Sequence, residues 1–132
     1  VLDTAPKLAS IYDIIEERER RHEQTGTGED VLIVAFGTAA RICESVLEEF
    51  ENSKHNIGLF RPITLFPFPT PELQKASEKS HRILVVEFNY GQMVEDVRLA
   101  INGRSPVSFL GKAAGVIPQI SEIKDKIKEI CQ

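Results

Sequence analysis

Four short apolar segments of the chain alternate with segments of helical periodicity. The segment with the clearest strand pattern is residues 31–36 (VLIVAF). It is continuously apolar and rich in β-branched residues, as expected of a strand buried on both faces. Further strands are predicted at residues 56–61, 82–88 and 107–110. Strands that alternate with helices form right-handed βαβ units. The sequence therefore predicts a three-layer α/β/α fold with a mainly parallel sheet of about four strands in the order 2-1-3-4.

The segments between these strands predict the crossover helices. Helices are expected at residues 39–51, 70–79 and 90–101, and a last one from about Ile120. Thr70 and Pro71 provide a helix start, because threonine suits the N-cap and proline the first helical position. Asn102 and Gly103 are expected to end the third helix.

The first 28 residues differ in pattern from the rest of the chain. Residues 7–25 are predicted to be helical, with one apolar stripe formed by Leu8, Ile11, Tyr12 and Ile15. Residues 16–23 are almost all charged. This pattern suits a solvated helix or a connector helix that packs on a preceding domain. Gly26 and Gly28 are then expected to end the helix.

The change of pattern divides the chain into two parts. Residues 1–28 are predicted to be an N-terminal connector helix and linker, and residues 29–132 an α/β domain. Because the chain begins at Val1 with a polar helical segment, we expect it to be part of a longer polypeptide.

Charge and cysteine content narrow the classes of function. The net charge of −4 argues against a nucleic-acid partner, which requires a basic face. No apolar run approaches the roughly 20 residues that cross a bilayer, so no membrane association is expected. Two cysteines do not form a disulfide framework, which suits a reducing, cytoplasmic location.

The predicted strand order defines one candidate ligand crevice. Ligands of open parallel sheets bind beyond the carboxyl ends of the strands, where the strand order reverses. The residues predicted at this point are Gly37, Thr38, Asn89, Tyr90, Gly91 and Gln92. Helix N-termini there could bind an anion such as a coenzyme A phosphate. The alternative is plain strand-to-helix geometry, since the chain has no phosphate-binding glycine motif.

Histidines and carboxylates do not form a catalytic or metal-binding pattern. His22, His55 and His81 have polar neighbours and are expected at the surface. The carboxylates worth weighing are Glu87, Glu95 and Asp96; adjacent residues of a helix point about 100° apart. A structural role is predicted instead, in which Glu87 or Asp96 pairs with Arg98 or Arg61.

The cysteines do not look like nucleophiles. Cys43 lies on the apolar face of the first crossover helix and is expected to be a small buried hydrophobe. Cys131 is close to the end of the chain and is expected to be exposed. We predict no catalytic residue and no metal site, so an independent enzyme is the least favoured function.

Residues 59–69 (LFRPITLFPFP), here called the Pro/Phe segment, are the least generic part of the chain. They are more apolar than an ordinary surface loop. They could fold under the edge of the sheet, or form a rigid apolar surface for a partner. Both interpretations remain open at the level of sequence.

Several motifs taken together resemble a known family. They are residues 31–42 (VLIVAFGTAARI), 58–69 (GLFRPITLFPFP), 83–103 (ILVVEFNYGQMVEDVRLAING) and 109–118 (FLGKAAGVIP). In this order and spacing they resemble the C-terminal part of 2-oxoacid:ferredoxin oxidoreductase α-type subunits. The motif GQMVEDVR suggests the 2-oxoglutarate or branched-chain type.

The resemblance implies a transketolase C-terminal-like domain that serves assembly rather than chemistry. The parent complexes convert a 2-oxoacid to an acyl-CoA and reduce ferredoxin, with thiamine diphosphate, magnesium, coenzyme A and iron–sulfur clusters. The implied partners are a pyrimidine-binding domain preceding Val1 and a pyrophosphate-binding subunit, with ferredoxin reached through the complex. No cofactor is expected in this fragment. The implied structural or interface positions are Arg61, Pro62, Asn89, Gly91, Gln92 and Asp96. Within the Pro/Phe segment, Phe66 and Phe68 are further interface candidates.

Overall fold

The computed structural model describes residues 21–63, 68–88, 92–112, 116 and 118–131. Within these residues the order of elements is β1 (His22–Thr25), β2 (Val31–Ala35), α1 (Thr38–Glu49), β3 (Ile57–Pro62), α2 (Thr70–Ala76), β4 (Ile83–Glu87), α3 (Gln92–Ile101), β5 (Val107–Gly111) and α4 (Ile120–Ile130). No helix among the described residues is long and apolar enough to cross a membrane.

The strands form one sheet in the order β1-β3-β2-β4-β5. β3, β2, β4 and β5 are parallel, and Ile33 in the central strand lies between Leu59 and Leu84. The predicted parallel order 2-1-3-4 corresponds to β3, β2, β4 and β5. The predicted fold class and strand order are therefore confirmed, with one additional strand at the edge.

The additional strand β1 corrects the predicted N-terminal helix. Residues 22–25 are not helical: they pair antiparallel with β3, with His22 opposite Pro62 and Thr25 opposite Leu59. All four side chains of β1 are exposed, so the strand lacks the alternation of apolar and polar residues that would reveal it. Residues 7–20 of the predicted helix lie outside the described residues. The predicted boundary between a linker (residues 1–28) and an α/β domain (residues 29–132) stays a prediction. β1 lies on the linker side of this boundary but pairs with β3 on the domain side.

Gly58 lets the turn after β1 pass close to β3. A Cβ atom built on Gly58 would lie 2.6 Å from the backbone nitrogen of Gly28, which no side chain can accommodate. The side chain of Asn56 holds the same turn by accepting the backbone N–H of Gly28 at 3.0 Å. The turn is therefore held by residues at the start of β3, and within the turn the Oγ1 of Thr27 also donates to Oδ1 of Asn56 at 3.0 Å.

Successive residues of β2 supply two hydrophobic clusters, one on each face of the sheet. Val31 and Ile33 pack with α1 and α4, whereas Leu32 and Val34 pack with α2 and α3. Side chains alternate between the two faces of a strand, so a strand covered on both sides must be apolar throughout. Each such aliphatic side chain contributes about 1.5–3 kcal/mol on burial.

The helices begin and end within a few residues of their predicted bounds. α2 is shorter than predicted and ends at Ala76, with Ser77 in the cap position. Asn102 and Gly103 follow α3 with positive φ angles of 50° and 77°, which confirms the predicted helix end.

Candidate functional site

The predicted crevice belongs to the carboxyl edge of the sheet, at the ends of β2, β3, β4 and β5. β2 and β4 are neighbours whose crossovers lead to opposite sides of the sheet, and Ala35 pairs with Val86 near their ends. Gly37 and Thr38 lie here, as predicted. Asn89, Tyr90 and Gly91 lie outside the described residues, as does the side chain of Gln92, the first residue of α3.

Gly37 forms the turn from β2 into α1. Its φ of 62° and ψ of −132° suit glycine, and its carbonyl oxygen accepts the N–H groups of Ala40 and Arg41 at 3.1 and 3.3 Å. No side chain caps this end of α1. The open N-terminus fits an anion, but it is also ordinary strand-to-helix geometry. The anion crevice therefore stays a prediction.

Glu87 caps the N-terminus of α3. It is the last residue of β4 and is only 6 % exposed. Its carboxylate accepts the backbone N–H of Met93, at 3.0 Å from Oε2 and 3.3 Å from Oε1. A negative charge at a helix N-terminus is stabilised by the helix dipole. The same buried carboxylate would repel an anion on the β4 side of the crevice.

This role of Glu87 was missed at the level of sequence. The pairing of Glu87 with Arg98 or Arg61 stays a prediction; Arg61 itself lies near Glu23 and Glu44, with its Nη1 at 3.7 and 3.9 Å from their carboxylate oxygens. A carboxylate at the end of a buried strand, shortly before a helix, is the signal that could have indicated a cap. Asp96, the other predicted partner, is exposed on α3.

Exposed apolar side chains concentrate at the carboxyl edge. Among the described residues, four large hydrophobic side chains in the segments that follow β2, β3 and β5 are 38–48 % exposed: Phe36, Ile63, Val116 and Ile120. Phe36 follows β2, Ile63 follows β3, and Ile120 begins α4. An ion pair between Lys112, just after β5, and Glu122 holds the start of α4 at this edge. The remaining exposed hydrophobic side chain of this size in the described part is Leu99, on the surface of α3.

The described part of the Pro/Phe segment is partly buried and partly exposed. Pro62 is buried, and Phe68 packs against the hydrophobic cluster shared by α2 and α3. Ile63 is exposed, whereas Phe66 lies outside the described residues. Internal packing thus accounts for part of this segment.

The described thiols are poor nucleophiles. Cys43 is fully buried, and this burial raises the pKa of its thiol from 9.0 to about 12. Its predicted role as a buried hydrophobe is confirmed. Cys131 was expected to be exposed but is half-buried. It packs against the hydrophobic cluster that contains Cys43, and burial raises the pKa of its thiol as well.

The histidines and acidic residues of the described part form no group that could hold a metal ion. His22 and His81 are exposed as predicted, whereas His55 is half-buried.

The chain matches the family model of pyruvate:ferredoxin oxidoreductase core domain II over residues 29–123. The chain belongs to this family. The match confirms the resemblance to 2-oxoacid:ferredoxin oxidoreductase subunits and places core domain II on the part of the chain from just before β2 into α4.

Curated relatives of this core domain II carry the names of 2-oxoacid oxidoreductase subunits. The chain is 34 % identical over 124 residues to ketoisovalerate oxidoreductase subunit VorB of Methanothermobacter thermautotrophicus, covering 93 % of this chain and 35 % of the relative. It is 32 % identical over 98 residues to 2-oxoglutarate synthase subunit KorA of Methanothermobacter marburgensis, covering 74 % and 26 %. The chain thus spans about a third of the length of the relatives or less.

Solved structures show the same fold at low sequence identity. The 2-oxoglutarate:ferredoxin oxidoreductase from Magnetococcus marinus, with 2-oxoglutarate, coenzyme A and succinyl-CoA bound, superposes with a TM-score of 0.77 at 16 % identity, covering 91 % of this chain and 21 % of that chain. A split-gene transketolase, an inactive β4 tetramer, superposes with a TM-score of 0.72 at 15 % identity, covering 84 % and 41 %. The transketolase-like α/β/α fold is therefore established.

Proposed function

We propose that this core domain II is a non-catalytic assembly domain of a 2-oxoacid:ferredoxin oxidoreductase subunit. The parent enzyme oxidatively decarboxylates a 2-oxoacid to an acyl-CoA and reduces ferredoxin. The names of the relatives favour 2-oxoglutarate or a branched-chain 2-oxoacid as substrate. The observation that carries the assembly role is the concentration of exposed apolar side chains at the carboxyl edge.

Covering that edge is energetically favourable. Burial of apolar surface contributes about 25 cal/mol per Å², and scattered single hydrophobic residues would not gather at one edge of the sheet. Phe36 and Ile63 lie there at the ends of adjacent parallel strands. The relatives are about three times as long as this chain or longer, so such a subunit has further protein available to cover the edge.

The proposed partners are the other parts of the same enzyme. They are a pyrimidine-binding domain N-terminal to Val1 and a pyrophosphate-binding subunit, with ferredoxin reached through the complex. Thiamine diphosphate, magnesium, coenzyme A and iron–sulfur clusters are assigned to those parts, and no cofactor to this one. The proposal includes a cytoplasmic location and neither nucleic acid nor membrane as a partner. The burial of Cys43, with its raised thiol pKa, supports a role without chemistry.

The test introduces charge at the carboxyl edge within the complete oxidoreductase. Phe36→Asp combined with Ile63→Asp is expected to weaken subunit association and to lower turnover by about tenfold or more, since two apolar interface anchors are lost. Association is measured by analytical ultracentrifugation, and turnover by reduction of ferredoxin with coenzyme A and the 2-oxoacid.

Leu99→Asp is the matched control, because Leu99 is a 78 % exposed hydrophobic residue on α3 away from the edge. This variant is expected to assemble and turn over normally. Circular dichroism of each variant subunit separates loss of association from loss of folding. If the folded edge variant assembles and turns over like the control, the assembly role is wrong.

A further inference from the structure

A cluster of polar side chains lies at the amino edge of the sheet, where the chain enters β4 and β5. This edge is opposite the carboxyl edge described above. The turn from α2 into β4 and the turn from α3 into β5 line a cavity of about 350 Å³. Three serine residues line it: Ser77 and Ser80 on the first turn and Ser105 on the second. This volume is at the lower end of the range of ligand sites, about 300–1,000 Å³, and suits a small ligand.

The three hydroxyl groups are not equivalent. The Oγ of Ser77 donates to the carbonyl oxygen of Gln74 at 3.2 Å. The Oγ of Ser105 donates to the carbonyl oxygen of Ser80 at 2.8 Å and so joins the two turns. The Oγ of Ser80 has no hydrogen-bond partner among the described residues, although Ser80 is only 5 % exposed.

An unpartnered buried hydroxyl is unfavourable, because it has lost its hydrogen bonds to water without gaining others. A serine hydroxyl turns about a single side-chain torsion. Because Ser80 lines the cavity, rotation about this torsion offers its hydroxyl a route to a bound ligand. A ligand bound there would satisfy the hydroxyl.

The charges around the cavity favour an anion. Lys79 and Arg104 line it, as does His81, whereas Glu78 is its single lining carboxylate. Arg104 donates from Nε to the carbonyl oxygen of Ile101 at 3.1 Å and from Nη2 to that of Ala100 at 3.4 Å. These bonds fix the guanidinium at the cavity and use two of its five N–H donors.

We propose that this cavity binds a phosphate-type oxyanion, either inorganic phosphate or the phosphoryl group of a small ester. Lys79 and Arg104 supply positive charge, and Ser80 supplies a hydroxyl donor. The site lies at the amino edge, away from the predicted crevice at Gly37 and Thr38. It does not rest on the proposed assembly role, since the two sites occupy opposite edges of the sheet.

The test titrates the intact protein with inorganic phosphate at constant ionic strength, with calorimetry and the thermal unfolding midpoint as readouts. A saturable heat and a rise in the midpoint are expected. Ser80→Ala and Lys79→Gln are each expected to weaken phosphate binding about fivefold or more, because each removes a donor to a charged ligand. Lys128→Gln, which changes an exposed lysine of α4 away from the cavity, is expected to leave binding unchanged.

Titrations with glycerol 3-phosphate and with acetate identify which class of anion the cavity prefers. Tighter binding of glycerol 3-phosphate than of inorganic phosphate supports a phosphate ester as the natural ligand, and equal or weaker binding supports free phosphate. Acetate that binds as tightly as phosphate would overturn the assignment to a phosphate-type anion.

A second set of readouts separates binding from folding. Without phosphate, Ser80→Ala is expected to unfold at the same or a higher temperature than the parent protein, since it removes an unpartnered buried hydroxyl. If that variant does not fold, Lys79→Gln decides, because Lys79 is exposed and tolerates substitution. Absence of saturable phosphate binding, or binding that neither substitution changes, overturns the proposal.

Discussion

The imidazole ring of His22 in β1 lies almost parallel to the phenyl ring of Phe60 in β3, with 4.8 Å between the ring centroids and 11° between the planes. Phe60 is fully buried, and the ladder places Gln24 directly opposite it, so His22 reaches it diagonally. The exposed ring of His22 thereby covers part of the core.

Replacing His22 tests this contact. His22→Ala is expected to lower the free energy of unfolding by about 0.5–1.5 kcal/mol, the usual contribution of a stacked ring pair. His22→Phe keeps a ring at the position and is expected to retain most of the stability. Urea denaturation provides the measurement, and His55→Ala is the control. Equal effects of the two alanine substitutions would show that the stack contributes nothing specific.

The cap on α3 gives a second prediction. Glu87→Ala leaves the buried N–H of Met93 without its acceptor, which is expected to cost about 1–3 kcal/mol of unfolding free energy. Glu95→Ala removes an exposed carboxylate from the first turn of the same helix and is expected to cost less than about 0.5 kcal/mol. Chemical denaturation of both variants measures the difference. Two small and similar values would mean that the cap does not stabilise α3.

The raised pKa of Cys43 predicts a loss of stability at alkaline pH. Its thiol has a pKa of about 12 in the folded state against 9.0 when unfolded, so between these values the unfolded state binds fewer protons. The stabilisation is complete below pH 9 and falls by at most about 1.4 kcal/mol per pH unit between pH 9 and 12. Denaturation at pH 8 and pH 10.5 measures the slope.

Cys43→Ala is the matched comparison, since it keeps every other titrating group. The variant is expected to lose less stability between the two pH values than the parent protein. Thiol labelling at pH 8 adds an independent check: Cys131, which is half-buried, reacts in the folded protein, and Cys43 reacts only on unfolding. Rapid labelling of both thiols in the folded state would contradict the burial of Cys43.

The start of α4 gives a prediction at acidic pH. The pKa of Glu122 lies below its ordinary value of 4.5, because its side chain bonds to Lys112 and accepts the backbone N–H of Gln119. This stabilisation is present above pH 4.5 and is lost as pH falls through the folded-state pKa. Glu122→Gln is expected to reduce the fall in melting temperature on acidification, whereas Asp125→Asn on the same helix is not. Identical dependence of melting temperature on pH in the parent protein and Glu122→Gln would argue against the contact between Glu122 and Lys112.

The parallel strands and their order could be predicted because burial on both faces demands a recognisable composition. Residues 31–35 are apolar without interruption and rich in β-branched side chains, as a strand covered on both faces requires. β1 could not be predicted in this way, since its exposed residues form a strand only through pairing with β3, some 35 residues further along the chain. The local charge pattern around it favoured a helix.

The roles of single side chains were harder to predict than the elements that carry them. The side chain of Glu87 accepts the backbone N–H of Met93, six positions further along the chain, and the sequence does not specify that contact. In the sequence Ser80 resembles any serine in a turn, whereas in the structure it is buried and its carbonyl oxygen accepts the hydroxyl of Ser105. Such roles depend on the placement of atoms from separate turns, which periodicity and propensity do not encode.

The short strand β1 also determines how soluble the chain remains when its N-terminal residues are removed. Removing residues 1–28 would leave β3 with an unpaired row of amide and carbonyl groups alongside the apolar residues Leu59 and Phe60. Bare apolar strand edges join to their counterparts in other molecules and lead to aggregation. We therefore expect the four polar residues HEQT to protect the chain against aggregation, and a shorter version that begins at residue 29 to be far less soluble.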